Sequence, residues 1–215
     1  MVSYDLYVIT DEGLSKGLTH AEIARLAIEG GADVIQLRDK HLDDRALTRC
    51  AREIRELTKK AGVLFIVNDR LDVALGSRAD GVHLGQGDMP AGKARPLCPP
   101  GFLIGVSAGT LEEAIRAERE GADYIGLGPI CHTGSKDDAG PACGFDLITR
   151  VKNNVSIPVV AIGGLGRQNA RQAIEAGADG IAVISAVVSQ DDVALAARRL
   201  KAVIEEARYR KVYEG

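Results

Sequence analysis

The stretch GADVIQL at residues 31–37 recurs with small changes three more times in the chain. The related stretches are RADGVHL at 78–84, GADYIGL at 121–127 and GADGIAV at 177–183. Each contains an Ala-Asp pair followed by a short apolar run, which is typical of a strand buried on both faces. The glycine that opens most copies is suited to the end of a helix, where φ is often positive. The repeat therefore predicts four junctions at which a helix ends and a buried strand begins.

Strand-like and helix-like segments alternate along the whole chain. The predicted strands are residues 5–10, 33–38, 63–67, 80–84, 102–107, 123–128, 157–162 and 180–185. This alternation predicts an α/β fold with a parallel sheet, and four copies of a two-strand unit give eight strands. We therefore predict a single (β/α)₈ TIM barrel, the catalytic domain, over residues 1–208, with a short charged C-terminal tail at 209–215. A doubly wound open sheet is the alternative, but the GxGxxG fingerprint after the first strand is missing.

Composition limits the kinds of molecule that the protein is expected to bind. The chain has 215 residues, 46% of them hydrophobic, and a net charge of -3. This charge argues against broad binding to nucleic acid or to a membrane surface, both of which favour a basic face. There is no apolar run near the ~20 residues that span a bilayer, no evident signal peptide and no CxxC pair. We expect a cytoplasmic protein with reduced thiols that binds small molecules; the patterns predict no oligomeric state.

Charged residues follow the second strand, where barrel enzymes place their active sites. In QLRDK, residues 36–40, the side chains of Gln36, Arg38 and Lys40 alternate with Leu37 and so point to one face of the strand, while Leu37 faces the helices. Two cations and an amide suit a polyphosphate. A solvated charged turn is the alternative.

Two acids follow the next two strands. Asn68 and Asp69 end the third strand, and Asp88 follows the fourth. Neighbouring strands bring Asp69 and Asp88 to the same rim, and two carboxylates with open positions are a common way to hold Mg²⁺. Asn68 and Asp69 could instead serve only as a helix N-cap.

Phosphate-binding features follow the last strands. Gly163 and Gly164 let an anion approach the backbone, and Ile184 and Ser185 can offer amides at the start of a helix. A purely structural tight turn is the alternative for the two glycines. The hydroxyl of Ser107, which ends the fifth strand, could face a ligand or cap the turn.

A long loop, GLGPICHTGSKDDAGPACGF at 126–145, joins the sixth strand to its helix. Loops of this length are commonly functional or disordered. Thr133, Ser135 and Lys136 predict an anionic ligand here, in particular phosphate. We expect the loop to act as a clamp over that ligand.

The histidines and cysteines suggest little chemistry. His83 lies within a strand and is expected in the core, whereas His20 and His41 are expected at the surface. A zinc site at Cys131, His132 and Cys143 is not favoured, because a fourth ligand is missing.

Seven motifs occur in the order QLRDK, VNDR, VHLGQGD, GVS, GPICHTGSK, IGGL and ISA. Through them the chain resembles the thiamine phosphate synthase family over about residues 5 to 205. The resemblance implies a (β/α)₈ barrel and a transferase of thiamine biosynthesis. Such an enzyme joins hydroxymethylpyrimidine diphosphate to a thiazole phosphate and releases pyrophosphate, with Mg²⁺ present.

The resemblance also implies roles for individual residues. It implies pyrimidine diphosphate contacts at Gln36, Leu37, Arg38, Asp39, Lys40, Asn68, Ser107 and Lys136, and Mg²⁺ ligands at Asp69 and Asp88. It implies thiazole phosphate contacts at Thr133, Gly134, Ser135, Gly164, Ile184 and Ser185. The implied catalytic residues are Arg38, Lys40, Ser107 and Lys136. The chain departs from the family pattern at Cys131, where an aromatic residue is common, at His132 for proline, and at Ser135 for threonine.

Three other functions are weighed against this one. A related thiazole tautomerase shares the barrel but tends to carry histidine at the position of Pro129 and lacks an acid at that of Asp88. Another phosphosugar-handling barrel enzyme would not need both acids. A non-enzymatic protein that binds thiamine precursors is the third, and the acids together with Lys136 argue against it.

Overall fold

The strands of the computed structural model, which describes residues 3–135 and 140–213, form a closed parallel barrel. Each strand pairs with the next in sequence, and the first pairs with the last to close the barrel. The strands are β1 (Leu6–Thr10), β2 (Val34–Leu37), β3 (Leu64–Asn68), β4 (Gly81–Leu84), β5 (Leu103–Ala108), β6 (Tyr124–Leu127), β7 (Val159–Ile162) and β8 (Gly180–Val183). The predicted (β/α)₈ barrel is confirmed, and the open-sheet alternative is wrong.

The strands alternate with helices that cover the outside of the barrel. The helices are α1 (His20–Glu29), α2 (Asp44–Ala61), α3 (Leu71–Gly76), α4 (Ala91–Ala94), α5 (Leu111–Arg119), α6 (Asp146–Lys152), α7 (Ala170–Glu175), α8 (Ser185–Val188) and α9 (Val193–Tyr213), with a 3₁₀ turn at Arg95–Leu97. None of the described helices is both long and apolar enough to cross a membrane.

The last helix differs from the prediction at its end. Helix α9 runs through to Tyr213, past the boundary predicted at residue 208. The segment 209–213 therefore continues the helix and is not a separate tail. The sequence there is charged but contains no glycine or proline that would end a helix.

The recurring Ala-Asp pairs lock neighbouring strands together. Asp33 donates its backbone N–H to the carbonyl of Leu6 over 2.9 Å, and its carboxylate accepts the N–H of Leu6 over 2.9 Å. The same reciprocal pair joins Asp80 to Phe65, Asp123 to Ile104 and Asp179 to Val159. Each copy of the repeat therefore sets the register of an even-numbered strand against the odd-numbered strand before it.

Each of these carboxylates also has a cationic partner. The pairs are Lys201 with Asp33, Arg55 with Asp80, Arg95 with Asp123, and Lys152 with Asp179. The carboxylates precede the amino ends of β2, β4, β6 and β8. These ion pairs therefore lie at the end of the barrel opposite the usual active site. The four aspartates of the repeat are therefore structural residues.

Candidate active site

A cleft of about 1050 Å³ opens where the strands end and their following loops begin. Its walls come from the loops after β2 to β8, which is the end of the barrel where such enzymes carry out their chemistry. The predicted site residues that line it are Arg38, Lys40, Asn68, Asp69, Asp88, Ser107, Thr133, Gly134, Ser135, Gly164, Ile184 and Ser185. Residues distant in sequence are thus brought into one cavity.

Asp69 is held in an unusual backbone conformation. Its φ is 61°, in the left-handed region that residues other than glycine seldom adopt. Its N–H donates to the carbonyl of His83 over 2.8 Å, which ties the turn after β3 to strand β4. Such strain persists where the surrounding structure fixes it, and it is common at functional sites.

Asp69 and Asp88 face each other within the cleft. Burial, followed by the hydrogen bond and the charge of Asp88, raises the pKa of Asp69 to about 6, while Lys40 and Arg38 act in the opposite direction. Asp88 is fixed in turn by the N–H of Gly85, which donates to its Oδ2 over 2.7 Å. Two carboxylates held this close repel each other when both are ionised.

A divalent cation at this pair would remove the repulsion. Carboxylate oxygens are the ligands that Mg²⁺ prefers, and Mg²⁺ usually keeps water and substrate oxygens in its remaining positions. No group of three or more His, Cys, Asp or Glu side chains suited to a metal occurs within the described ranges. Asp69 and Asp88 fit Mg²⁺ that takes further oxygen ligands from water or from a bound phosphate.

The cations of the β2 loop lie on the same cleft. Arg38 and Lys40 both line it, as the alternation along the strand predicts. The Nη1 atom of Arg38 lies 3.3 Å from Oδ2 of Asp11, which holds the guanidinium in place. Arg38 thus lies half-buried on the cavity wall, whereas Lys40 lines the cleft and is also exposed to solvent.

Three other predicted residues of this segment lie off the cleft walls. Leu37 is buried in the core with 1% of its surface exposed. Asp39 accepts the N–H groups of His41 and Leu42, each over 2.7 Å, and so shapes the loop from behind. Gln36 lies deeper, beside a small cavity below the cleft. No ligand contact through the side chain of Leu37 or Asp39 is supported by these positions.

The surface position predicted for His20 is wrong. Its ring is fully buried, with Nδ1 2.7 Å from Oγ1 of Thr10 and Nε2 3.0 Å from Oδ2 of Asp39. Although burial opposes it, hydrogen bonds from His20 and from backbone N–H groups lower the pKa of Asp39. The partners come from β1 and the β2 loop, so the local pattern around His20 could not reveal them. The prediction that His83 is a core residue is confirmed, since only 8% of it is exposed.

The two glycines after β7 let two loops meet. Gly163 and Gly164 have φ values of 95° and 64°. A Cβ atom would lie 2.5 Å from Cβ of Pro129 at the first position and 2.4 Å from the carbonyl oxygen of His132 at the second. The N–H of Cys131 donates to the carbonyl of Gly163 over 3.0 Å. Glycine is therefore needed at both positions for the long β6 loop to pack against the β7 loop.

That contact places the hydroxyl residues of the long loop beside α8. The Oγ atoms of Ser135 and Ser185 are 3.0 Å apart, and the N–H of Ser135 donates to Oγ1 of Thr133 over 3.2 Å. The predicted thiazole phosphate residues of the β6 and β8 loops are thus neighbours. Lys136 lies outside the described residues, so its predicted role and the clamp remain predictions.

Sequence reasoning missed several residues of the cleft wall. They are Gln86, His132, Arg167, Gln168 and Gln190, with parts of the loops between them. The side-chain amide of Gln86 donates to the carbonyl of Ser107 over 2.6 Å, and that of Gln190 to the carbonyl of Ser185 over 3.1 Å. Arg167 follows the IGGLG motif directly, so a scan extended by one residue would have found this additional cation.

A closed (β/α)₈ barrel with a large polar cleft at the carboxyl ends of its strands defines the class of the protein as a barrel enzyme. Residues 6–187 match the family model described as thiamine monophosphate synthase. The chain belongs to this family and is a transferase of thiamine biosynthesis.

Full-length relatives agree with the family match. The chain is 67% identical to a thiamine-phosphate synthase from Methanocella arvoryzae, over 96% of this chain and 98% of the relative. It is 58% identical to one from Methanoculleus marisnigri, over the same shares of the two chains. A solved thiamine phosphate pyrophosphorylase from Pyrococcus furiosus superposes with a TM-score of 0.89 at 44% identity, covering 95% of this chain and 96% of that one. These similarities favour the transferase over the tautomerase, the phosphosugar enzyme and the binding protein.

Proposed function

We propose that this chain joins hydroxymethylpyrimidine diphosphate to a thiazole phosphate, giving thiamine phosphate and pyrophosphate. The observation that carries the proposal is the meeting of Asp69 and Asp88 with Arg38 and Lys40 in one cleft. Two carboxylates beside two cations are suited to a diphosphate that is bound through a metal ion. The names of the full-length relatives support the same reaction.

Asp69 and Asp88 would hold Mg²⁺. When bound, this ion would neutralise charge on the diphosphate and so make it a better leaving group. Arg38 and Lys40, on the loop after the neighbouring strand β2, would bind oxygens of the same diphosphate. Lys136 is proposed to join them, on the strength of its place in the sequence.

The remaining pyrimidine contacts position the reacting carbon. Ser107 lines the cleft and offers a hydroxyl, and Asn68 lies beside Asp69. The aminopyrimidine ring can delocalise the positive charge left on its methylene group as the diphosphate departs. The substitution therefore needs no nucleophilic side chain, and electrostatic stabilisation by positioned groups is the main contribution of the protein.

The thiazole phosphate would bind on the opposite side of the cleft. The hydroxyl groups of Thr133, Ser135 and Ser185 are donors suited to phosphate oxygens, and Gly134, Gly164 and Ile184 line the same part of the cleft. With both phosphate groups held, the thiazole nitrogen would face the methylene carbon. Holding two reactants in this way supplies much of the rate enhancement in bimolecular reactions.

We also propose that the reaction takes place in the cytoplasm. The cysteines Cys50, Cys98, Cys131 and Cys143 are all free thiols, which fits a reducing compartment. Small phosphorylated molecules would be the partners of the cleft. The absence of nucleic-acid and membrane binding remains a prediction.

The test mixes the purified protein with Mg²⁺ and both phosphorylated precursors and follows thiamine phosphate and pyrophosphate. We expect equal amounts of the two products, and no product when EDTA replaces Mg²⁺. Asp88→Asn should lower the rate by at least tenfold and recover part of it at high Mg²⁺. Failure of the wild-type protein to form thiamine phosphate would overturn the proposal, and full activity in EDTA would overturn the role of the metal.

A further inference from the structure

A chain of hydrogen bonds crosses the interior of the barrel below the cleft. The amide Nε2 of Gln36 donates to the hydroxyl of Tyr7 over 2.7 Å, and the hydroxyls of Tyr7 and Tyr124 are 2.9 Å apart. The hydroxyl of Tyr124 lies 3.1 Å from Nδ1 of His83. Nε2 of His83 lies 3.0 Å from Oγ of Ser107. The chain thus links Gln36 on β2 to Ser107 on β5 through three buried rings.

The strands make room for these rings. A Cβ atom on Gly105 would lie 2.1 Å from Cζ of Tyr124, and one on Gly126 would lie 2.8 Å from Cε1 of His83. Any other residue at either position would displace a ring. Tyr7 and Tyr124 are 2% and 0% exposed, so water has little access to the chain. The hydrogen-bond chain is therefore a fixed part of the barrel interior.

The chain can be polarised in only one direction at a time. A hydroxyl group has one proton, and a neutral imidazole has one N–H. Burial raises the pKa of both Tyr7 and Tyr124, so each keeps its proton. If the amide of Gln36 donates to Tyr7, the buried O–H of Tyr7 finds its acceptor in Tyr124, and the O–H of Tyr124 then finds its acceptor in Nδ1 of His83.

The same direction continues to the cleft. His83 then accepts at Nδ1 and donates its Nε2 proton to Oγ of Ser107. The hydroxyl proton of Ser107 is left to point into the cleft, toward an acceptor such as a phosphate oxygen. If the direction were reversed, the amide of Gln36 would turn its NH₂ group to the ligand and Ser107 would offer only lone pairs. The donor and acceptor roles of Gln36 and Ser107 must therefore change together.

The acceptor atom at the Gln36 end of the hydrogen-bond chain indicates a ligand. Oε1 of Gln36 is buried and has no hydrogen-bond partner among the residues that the structure describes. A buried polar atom of this kind is rare and calls for an explanation. Gln36, Ser107 and the rings of the chain line a small cavity that shares Ser107, Gly126, Ile162 and Ala182 with the wall of the large cleft. A ligand that reaches down to this cavity can satisfy Oε1 of Gln36 by donating a hydrogen bond to it.

We propose that Tyr7, Tyr124 and His83 are positioning residues that hold Gln36 as an acceptor and Ser107 as a donor, and so select an aminopyrimidine over its oxo analogue. The inference rests on the proposed function, because it assumes a pyrimidine diphosphate in the cleft. The amino group would donate to Gln36, while Ser107 would donate to the anionic end. An oxo group at the same position would face the Gln36 oxygen and repel it.

The first test measures this selectivity in variants that keep the rings but remove a hydroxyl. The ratio of kcat/KM for the 4-amino and 4-oxo pyrimidine diphosphates is compared in the wild type, Tyr7→Phe and Tyr124→Phe. We expect both variants to lower the ratio by roughly 2- to 12-fold, since a single net hydrogen bond is worth a factor in that range. The KM for the amino substrate should rise, and the KM for the thiazole phosphate should stay within about twofold.

Tyr4→Phe is the matched control. The Tyr4 ring packs on that of Tyr124 with centroids 5.1 Å apart, but its hydroxyl is not a member of the chain. It should leave the ratio unchanged. An unchanged ratio in both Tyr7→Phe and Tyr124→Phe, or an equal fall in Tyr4→Phe, would overturn the inference. Wild-type protein that makes no thiamine phosphate would instead overturn the proposed function.

The second test needs no turnover. ¹⁵N NMR of the histidine rings, with Mg²⁺ and inorganic diphosphate present, reports which nitrogen of His83 carries the proton. We expect the Nε2–H tautomer in the wild type. At a pH where its carboxylate is ionised, Gln36→Glu can only accept, so the chain should reverse and His83 should become the Nδ1–H tautomer. An imidazolium in the wild type, or a tautomer that Gln36→Glu leaves unchanged, would overturn the coupling.

Discussion

Asp80 and Phe65 exchange two hydrogen bonds at the amino ends of β4 and β3. The N–H of Asp80 donates to the carbonyl of Phe65, and Oδ2 of Asp80 accepts the N–H of Phe65, each over 2.8 Å. The same Oδ2 accepts from Nη1 of Arg55 over 2.7 Å. One carboxylate thus joins two strands and a helix, and three other aspartates of the repeat do the same around the barrel.

We expect Asp80→Ala to lower the free energy of unfolding by about 2 kcal/mol, because the N–H of Phe65 and the guanidinium of Arg55 both lose a charged acceptor. Urea unfolding followed by circular dichroism measures the change. Asp191→Ala is the control, since Asp191 pairs with Lys16 on the surface with 92% of its side chain exposed. It should be nearly neutral. Equal stability of Asp80→Ala and wild type would show that the register is set by packing alone.

Gly105→Ala should disturb the barrel interior, because the added methyl group would overlap the ring of Tyr124. Overpacking of this kind typically costs about 1–3 kcal/mol. Thermal unfolding measures the loss. Gly76→Ala serves for comparison, because a Cβ at that helical position meets nothing within 4 Å. The interpretation fails if the two variants unfold at the same temperature.

The contribution of Asp69 to the stability of the metal-free protein should fall as pH rises from about 4 to 6. The pKa of Asp69 is raised from its usual 3.8 to about 6, so the folded state binds more protons than the unfolded state in this interval. Asp69→Asn removes the titrating group. Above pH 6 the variant should therefore be the more stable by about 1 kcal/mol, a value kept below the full shift because solvent screens a partly exposed carboxyl.

Mg²⁺ should reverse that order. Binding between Asp69 and Asp88 should stabilise the wild type more than Asp69→Asn, by mass action on the folded state. Chemical unfolding across pH 4 to 8, with and without Mg²⁺, measures both effects. Parallel pH profiles for the two proteins would contradict the assignment of Asp69.

Arg38→Ala should weaken binding of the diphosphate much more than binding of the thiazole phosphate. Loss of a charge-assisted contact typically costs about 1.5–3 kcal/mol, so we expect pyrophosphate with Mg²⁺ to bind roughly 10- to 100-fold more weakly. Binding of the thiazole phosphate should change by less than about threefold. Isothermal titration calorimetry gives both constants, and Arg25→Ala, from the surface pair with Glu29, is the control. Equal weakening of both ligands would show that Arg38 does not act specifically on the diphosphate.

Lys136→Ala should lower kcat by roughly 10²–10³, as for other lost electrostatic stabilisers of a transition state. The charge on the departing diphosphate grows as its bond breaks, so a lysine that reaches it contributes more to the transition state than to substrate binding. Steady-state kinetics, with circular dichroism as the check on folding, measures the effect. A near-normal kcat with only a raised KM would reduce Lys136 to a binding residue.

The sequence alone determined the architecture and the positions of the site segments. The Ala-Asp repeat and the alternation of strands with helices were sufficient for the (β/α)₈ barrel, because both signals are local and recur. The barrel rule then placed Arg38, Lys40, Asp69 and Asp88 at one mouth, as the structure confirms. The alternation of side chains along β2 correctly put Leu37 behind the wall, although the family resemblance had named it a contact.

Only the tertiary structure decided which polar groups meet across the barrel. His20 is buried against Thr10 and Asp39, and His83 links Tyr124 to Ser107, because strands distant in sequence bring their partners to them. No local pattern contains those distances. The same reason explains Gly105 and Gly126, whose sequence neighbours give no hint of the rings above them. Local physics sets where each strand starts and ends, whereas the closure of the barrel sets which side chains share its interior.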